Sequence, residues 1–396
     1  MDAALKLPTK QMDVNIGPSH PAMHGTVRIK VSLDGETIVK ATTEVGFLHR
    51  GFEKDAESVH WAQVMPYTDR LNYVSPLINN FGYAQAVEKL YGVDIPIRAK
   101  FIRTMSAEIS RIGDHMTCCA AVAMELGGFT PFLWLIEGRD LLYDLVEELT
   151  GARVTVNYAR FGGVANDVPD GFVGRVRQAL DRVFKLVDDA DKLLTRGRIF
   201  IDRLEGVGKI SQADAVSLGI TGPFLRATGV DYDVRKAHPY DVYGDMQFDS
   251  VVGQNGDCYD RWLVRLEEMR QSRKIVLQTL DRLPGGPHRL DDPRFALPNK
   301  DHTYNEIEGL MNHFKLIIEG AQVPPGEVYS YVEGGNGELG FYLVSDGSGK
   351  PQKCRVRGPC FATMQALDHI LLPGAQLSDV VPIFGSINMI GGECDR

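Results

Sequence analysis

Apolar and polar positions alternate near the start of the chain and then change to a longer period. Val27, Ile29, Val31 and Leu33 fall on every second position, Asp34-Gly35 supplies a tight turn, and Ile38 opens a return run. This pattern predicts a β-hairpin within the first 46 residues. From 53 to about 283 the apolar spacing lengthens to three and four residues, the period of helices. Pro96 opens one predicted helix, whose stripe of Ile102, Met105, Ile109, Ile112, Met116 and Ala123 stops at Gly127-Gly128. Pro131 opens the next, with Leu135, Leu142, Leu145, Val146 and Leu149 on one face and Gly151 at its end.

Further helices are predicted over 170–194, 259–283 and 303–319, and the Gly- and Asp-rich stretch 206–256 reads as long ordered loops. Runs at 328–332 and 340–344 flank Gly334-Gly335-Asn336-Gly337 and predict a second hairpin. The pattern describes an α+β chain, mainly a helical core bundle with β regions at both ends. Three units are expected: an N-terminal β region (1–52), a helical core (53–325) and a C-terminal β/α region (326–396) packing on the core. There is no internal repeat, which argues against a solenoid.

Composition narrows the function classes. The 396 residues carry 43 Lys and Arg against 52 Asp and Glu, a net charge of −9. A nucleic-acid groove needs a basic face to replace phosphate counterions, so nucleic acid is not an expected partner. The least charged stretch, 116–136, is broken by Glu125, Gly127, Gly128 and Pro131 and cannot supply the roughly 20 apolar residues of a membrane span. The opening MDAALKLPTKQMD lacks a basic segment followed by an apolar run, so no secretory leader is expected. The six cysteines form no C-x-x-C pair, which excludes the usual local spacings for a zinc ribbon or a four-thiolate iron–sulfur cluster. Any redox carrier is therefore expected in another chain.

Five segments are candidates for chemistry. Gly335-Asn336-Gly337-Glu338-Leu339-Gly340 matches G-x-G-x-x-G, but the residues after it read as a strand rather than the helix a dinucleotide site requires, so it is a hairpin turn. Gly206-Val207-Gly208-Lys209-Ile210-Ser211 lacks the first glycine and the hydroxyl residue of a P-loop. GPSHPAMHG at 17–25 places His20 and His24 in a rigid loop at a strand end. They could bind zinc, satisfy a structural loop, or donate protons in a cleft, since histidine titrates near neutral pH. In MPYTDRLNYVSP at 65–76, Tyr73 follows Asp69 and Arg70 by four and three residues on a predicted helix start, where a charge could hold the phenol. A tyrosine with one buried edge is the ordinary alternative. Glu125 is the lone formally charged residue in 116–136. It is either a desolvated relay carboxyl or, because it lies opposite the Ile109 stripe at 100° per residue, part of a solvated face.

GPSHPAMHG and MPYTDRLNYVSP, with EVGFLHRGFEK at 44–54, AEISRIGDHM at 107–116, LGGFTPFLWLIEGRD at 126–140, GARVTVNYARFGGV at 151–164 and GGECDR at 391–396, resemble the 49-kDa (D) subunit family of respiratory complex I, the proton-pumping NADH:quinone oxidoreductase. The resemblance is collinear and spans essentially the whole chain. It implies the fold of the [NiFe]-hydrogenase large subunit with the metal site lost: one metal-binding C-x-x-C pair is missing from 66–72, the other is replaced near 388–393, and Cys394 is a lone thiol.

The resemblance implies a quinone-site subunit, inactive alone, in a complex that couples quinone reduction to proton pumping. His24 and Tyr73 would meet the quinone head group and act as catalytic proton donors. His20, Asp69, Arg70 and Glu125 would belong to the quinone site and its proton relay, with Glu125 standing where the family has an aspartate. Arg50 would lie near the terminal iron–sulfur cluster of the neighbouring B subunit, where a fixed cation raises the cluster's potential. This chain would bind no cofactor or metal; quinone is the substrate, and NADH and FMN belong to other subunits. The expected partners are the B subunit, the C subunit, the membrane-embedded H subunit and the rest of the peripheral arm, at the cytoplasmic face of a bacterial inner membrane. Thr155 stands where the family commonly has a histidine that couples cluster reduction to protonation, which implies a cluster potential less dependent on pH. The competing reading is a non-catalytic scaffold in a hydrogenase-like or ferredoxin-fed membrane complex.

Overall fold

The computed structural model describes residues 11–371 and 374–396. Residues 1–10, which include most of the segment expected to carry no leader and the start of the N-terminal unit, lie outside the described residues. The chain opens with an antiparallel sheet of β1 (Gln11–Ile16), β2 (Arg28–Asp34) and β3 (Thr37–Glu44) in that order. The alternation predicted for β2 has the expected effect: Ile29, Val31 and Leu33 are buried, and the residues between them face outward.

Short helices α1 (Phe52–Ser58) and α2 (Trp61–Thr68) lead into α3 (Pro76–Tyr91), α4 (Ile97–Glu125) and α5 (Phe129–Thr150). Helix α5 starts two residues before Pro131, which the first turn tolerates because its N–H would have no partner in the helix. All five stripe residues predicted for α5 are buried. After the two-residue strands β4 (Ala159–Arg160) and β5 (Gly163–Val164) comes α6 (Phe172–Leu194).

After α7 (Arg198–Leu204), the region expected to be loops holds three short helices instead: α8 (Gln212–Ser217), α9 (Gly222–Ala227) and α10 (Val234–Ala237). Two of them start on side-chain caps, Ser211 accepting from the Asp214 amide and Asp233 from that of Arg235. Ser and Asp thus mark helix starts here as well as turns. Helix α11 (Cys258–Asp281) follows.

The single helix predicted over 303–319 is broken into α12 (Lys300–Asn305) and α13 (Ile307–Ile318), with Glu306 extended between them. Gly309 comes so close to the His302 carbonyl that a Cβ would not fit, and this close approach lets the two helices fold against each other. The second sheet is β6 (Gly326–Glu333), β7 (Glu338–Ser345) and β8 (Lys353–Arg357), antiparallel in that order. The chain closes with α14 (Pro359–Ile370), α15 (Val380–Ile387) and α16 (Gly391–Asp395).

Helix α4 is the axis of the molecule and packs against α3, α5, α11 and α15. Only six of its residues escape burial: Ile97, Arg98, Lys100, Thr117, Met124 and Glu125. Most charges buried on and around it are paired: Arg111 meets Glu108, Arg235 bridges Glu108 and Asp233, and Arg226 bridges Glu268 and Glu333. Arg111 also donates to the carbonyls of Glu333 and Gly334 at 2.7 Å each, fastening the turn between β6 and β7 onto α4. The G-x-G-x-x-G segment is the end of that turn, 335–337, and the first three residues of β7. No helix among the described residues is long and apolar enough to cross a membrane.

Candidate functional site

Four segments far apart in sequence enclose a cavity of about 220 Å³. It is lined by His24 from the β1–β2 loop, Tyr73 and Val74 from the turn before α3, Thr117 and Ala121 from α4, and residues from Phe384 to Ile390 at the end of the chain. Local chemistry sets each wall. The histidine loop is held by glycines at both ends: Gly17, at φ +88°, lies against the Val27 carbonyl, and Gly25, at φ +144°, packs on Met389. A side chain at either position meets strain or a neighbour. Within the loop the Met23 amide donates to the His20 carbonyl at 3.0 Å.

The Tyr73 wall is an Asn turn. Asn72 Oδ1 accepts from the amides of Val74 and Ser75 at 3.1 and 3.4 Å, and Pro76 then opens α3. Leu71 and Val74 are buried on either side, leaving Tyr73 itself 38% exposed. Tyr73 therefore sits in a turn, not on the helix start that its spacing suggested. The phenol is also not held by Asp69 or Arg70, which pair with each other at 2.8 Å.

Glu125 ends α4, and its carboxyl lies 2.7 Å from His24 Nε2 with only 3% of the side chain exposed. The solvated-face reading fails because α4 is wrapped on all sides, so the side opposite the Ile109 stripe is also interior. The His24 contact is close but not aligned as a directed hydrogen bond, and both carboxyl oxygens of Glu125 lack other partners among the described residues. Burial pushes the Glu125 pKa up, and His24 opposes the rise. Gly385 packs against the Glu125 carboxyl so tightly that a Cβ would not fit.

Tyr73 is likewise pushed above the usual phenol range, mainly by burial. Cys360 and Asp114 add to the shift and Arg50 opposes it. The Cys360 thiol is itself held well up by burial, so it is neutral near pH 7. Arg50 donates to the Arg70 carbonyl at 2.7 Å. Arg50, Asp69 and Arg70 thus cluster beside the cavity without lining it. The Asp69 carboxyl is buried, and desolvation raises its pKa against the pull of Arg70. His20 is exposed and its Nδ1 accepts from the Ala22 amide at 3.2 Å, a contact within the loop.

Sequence reasoning missed the polar floor of the cavity. Asp114 Oδ2 accepts from Asn72 Nδ2 at 2.9 Å and Ser75 Oγ at 2.6 Å, while Oδ1 accepts from Asn388 Nδ2 at 2.7 Å. Asn388 also reaches Asn336 Oδ1 at 2.6 Å; Asn336 contacts Cys360 Sγ at 3.3 Å, and that thiol meets Glu393 Oε2 at 3.4 Å. Burial, helped by the Asp114 charge, lifts Glu393 to about 7. One signal was available: Asp114 and Glu125 stand eleven positions apart, three helical turns, and so share a face of α4.

All six cysteines are free and buried. No group of three or more His, Cys, Asp or Glu side chains able to hold a metal ion occurs among the described residues. A larger cavity, about 390 Å³, lies between the loop at Asn157–Phe161 and α13, with Arg160 and Arg289 at its wall. It does not pair a histidine with a phenol. The smaller cavity can present a neutral or cationic imidazole and a protonated phenol to one bound ring, with a buried carboxyl behind the imidazole.

The family model for the 49 Kd subunit of respiratory-chain NADH dehydrogenase matches residues 125–396. The first of the numbered D subunits of NADH-quinone oxidoreductase in Sorangium cellulosum is 56% identical over 396 residues, covering all of this chain and 98% of that protein. The corresponding D subunit of Myxococcus xanthus is also 56% identical, over all of this chain and 95% of that protein. A C/D subunit of NADH-quinone oxidoreductase in Bdellovibrio bacteriovorus is 49% identical over 98% of this chain and 69% of its own length.

Proposed function

This chain belongs to the 49-kDa subunit family of respiratory-chain NADH dehydrogenase, and from that premise we propose that its small cavity receives the head group of quinone. The observation that carries the reading is the convergence of His24 and Tyr73, from distant segments, on one largely apolar cavity, with the Glu125 carboxyl against His24. Complete ligand sites commonly occupy roughly 300–1,000 Å³. At about 220 Å³ the cavity suits a head group whose tail lies outside, in a channel completed by other subunits.

Reduction of quinone to quinol takes two electrons and two protons. The electrons arrive from the terminal iron–sulfur cluster of the B subunit, and each quinone oxygen takes a proton as negative charge develops on it. His24 supplies one and Tyr73 the other. Loss of the His24 proton removes the cation beside Glu125, whose raised pKa then favours proton uptake by the carboxyl. The charge change at the quinone is thereby handed to Glu125, which starts the relay that couples the reaction to proton pumping. The raised pKa of Tyr73 keeps the phenol protonated between turnovers and drives its reprotonation afterwards.

The same reading makes the cavity a metal-free descendant of a hydrogenase site, in which segments 66–72 and 388–393 are tied through Asp114 instead of a metal. The chain sits with the B and C subunits and the membrane-embedded H subunit on the cytoplasmic face of a bacterial inner membrane. The test is quinone reduction by membranes carrying Tyr73→Phe, with NADH oxidation by an artificial acceptor as the assembly control. A loss of about 100-fold or more, the usual worth of a positioned proton donor, with the control rate intact is the expected result. A wild-type rate of quinone reduction in assembled complex contradicts it.

A further inference from the structure

His24, Tyr73 and Glu125 account for proton delivery, yet the most completely buried carboxylate at the cavity has no part in it. Asp114 is 0% exposed and meets no Lys, Arg or His within ion-pair distance among the described residues. A buried carboxylate without a cation is costly unless hydrogen bonds to its charged form compensate. Asp114 has three, all accepted from neutral donors, and such charge-assisted bonds are the strong kind.

The three donors come from two different walls. Asn72 and Ser75 flank Tyr73 on the residues that make its turn, whereas Asn388 belongs to the opposite wall at the end of α15. Asn388 holds a left-handed backbone, φ 60° and ψ 51°, which a residue with a side chain adopts at a cost. Its amide is tied to Asp114 and to Asn336, so the unusual conformation is fixed from two sides. Gly335 closes over Asp114 with no space for a Cβ, sealing the carboxylate from water.

We infer that Asp114 is a positioning residue for quinone reduction: its single carboxylate fastens the Tyr73 turn to the Asn388 segment and so fixes the spacing of the two cavity walls and the aim of the phenol. The inference rests on the quinone reading of the cavity. It assigns Asp114 no contact with quinone; it acts through Tyr73.

The test compares Asp114→Ala, Asp114→Asn, Tyr73→Phe and the double variant Tyr73→Phe/Asp114→Ala in membranes, with the artificial-acceptor rate reporting assembly. Asp114→Ala is expected to lower kcat for quinone about 10- to 100-fold, the scale on which a displaced catalytic group costs rate, and to change KM less than about threefold. Asp114→Asn keeps an oxygen for Asn72 and Ser75 and turns its NH₂ towards Asn388; the amides of Asn388 and Asn336 can flip together, so that Asn388 Oδ1 accepts from both and Asn336 Oδ1 faces the Cys360 thiol, and kcat should return to within about threefold of wild type. On the residual rate of Tyr73→Phe, Asp114→Ala should cost nothing more, because it works through the phenol. Full kcat in Asp114→Ala, or additive losses in the double variant, overturns the inference alone. Full activity in Tyr73→Phe overturns the quinone reading and the inference with it. If Asp114→Ala does not assemble, Ser75→Ala removes one donor from the same carboxylate. It should lower kcat about threefold in the wild-type background and not at all in Tyr73→Phe, and any other pattern overturns the inference.

Discussion

Glu125 and Glu393 illustrate how the same side chain takes different work from its surroundings. Glu125 is desolvated but touches His24, so its protonation follows the histidine. Gly385 is the residue that lets the carboxyl lie there, and Gly385→Ala should push it away from the imidazole. Quinone reduction is then expected to fall about 10-fold or more at an unchanged artificial-acceptor rate, by loss of a positioned proton partner. Glu393 is fully enclosed and raised from 4.5 to about 7. The native state therefore holds a proton that the unfolded chain has released between those two pH values, and stability falls as pH rises through this window. The penalty reaches about 3 kcal/mol above pH 7. Glu393→Gln should remove it, so that the thermal midpoint of purified complex drops between pH 6 and pH 8 in the wild type and stays nearly level in the variant. Equal drops in both would contradict the assignment.

Elements with a clean period were legible in the sequence, whereas the way they break and what they bury were not. Strand β2 and the stripe of α5 follow directly from spacing. Helix α13 has an apolar stripe too, yet Ile307, Leu310, Met311, Phe314 and Ile317 remain exposed, so periodicity fixed its conformation without fixing its burial. The α12–α13 break depends on the Gly309 contact with the His302 carbonyl, which no local pattern encodes. Helix α4 carries the opposite lesson, since burial on every side defeats any argument from one face. Its attachment to the second sheet runs through Arg111. Arg111→Met should orphan the Glu333 and Gly334 carbonyls and cost about 3–5 kcal/mol, read as a lower thermal midpoint and less assembled complex. The exposed Arg175–Glu148 pair offers the control, because Arg175→Met should leave the midpoint unchanged.

For the whole molecule, the acidic charge balance and the missing C-x-x-C pairs argue from sequence alone against a nucleic-acid groove and locally built clusters. His24, Tyr73 and Glu125 could be singled out from sequence, but their meeting could not, because the cavity is closed by residues near the end of the chain. Asp114 and Asn388 stand 274 positions apart, and nothing local announces their bond. The account stands or falls on what enters the cavity of about 220 Å³. The most direct measurement is photolabelling of membranes with a quinone bearing an azide on its ring, followed by peptide mapping. Attachment within residues 20–25, 71–75 or 384–390, suppressed by excess quinone, is the predicted result. Suppressible attachment to this chain confined to the larger cavity at Asn157–Phe161 and α13 would contradict it.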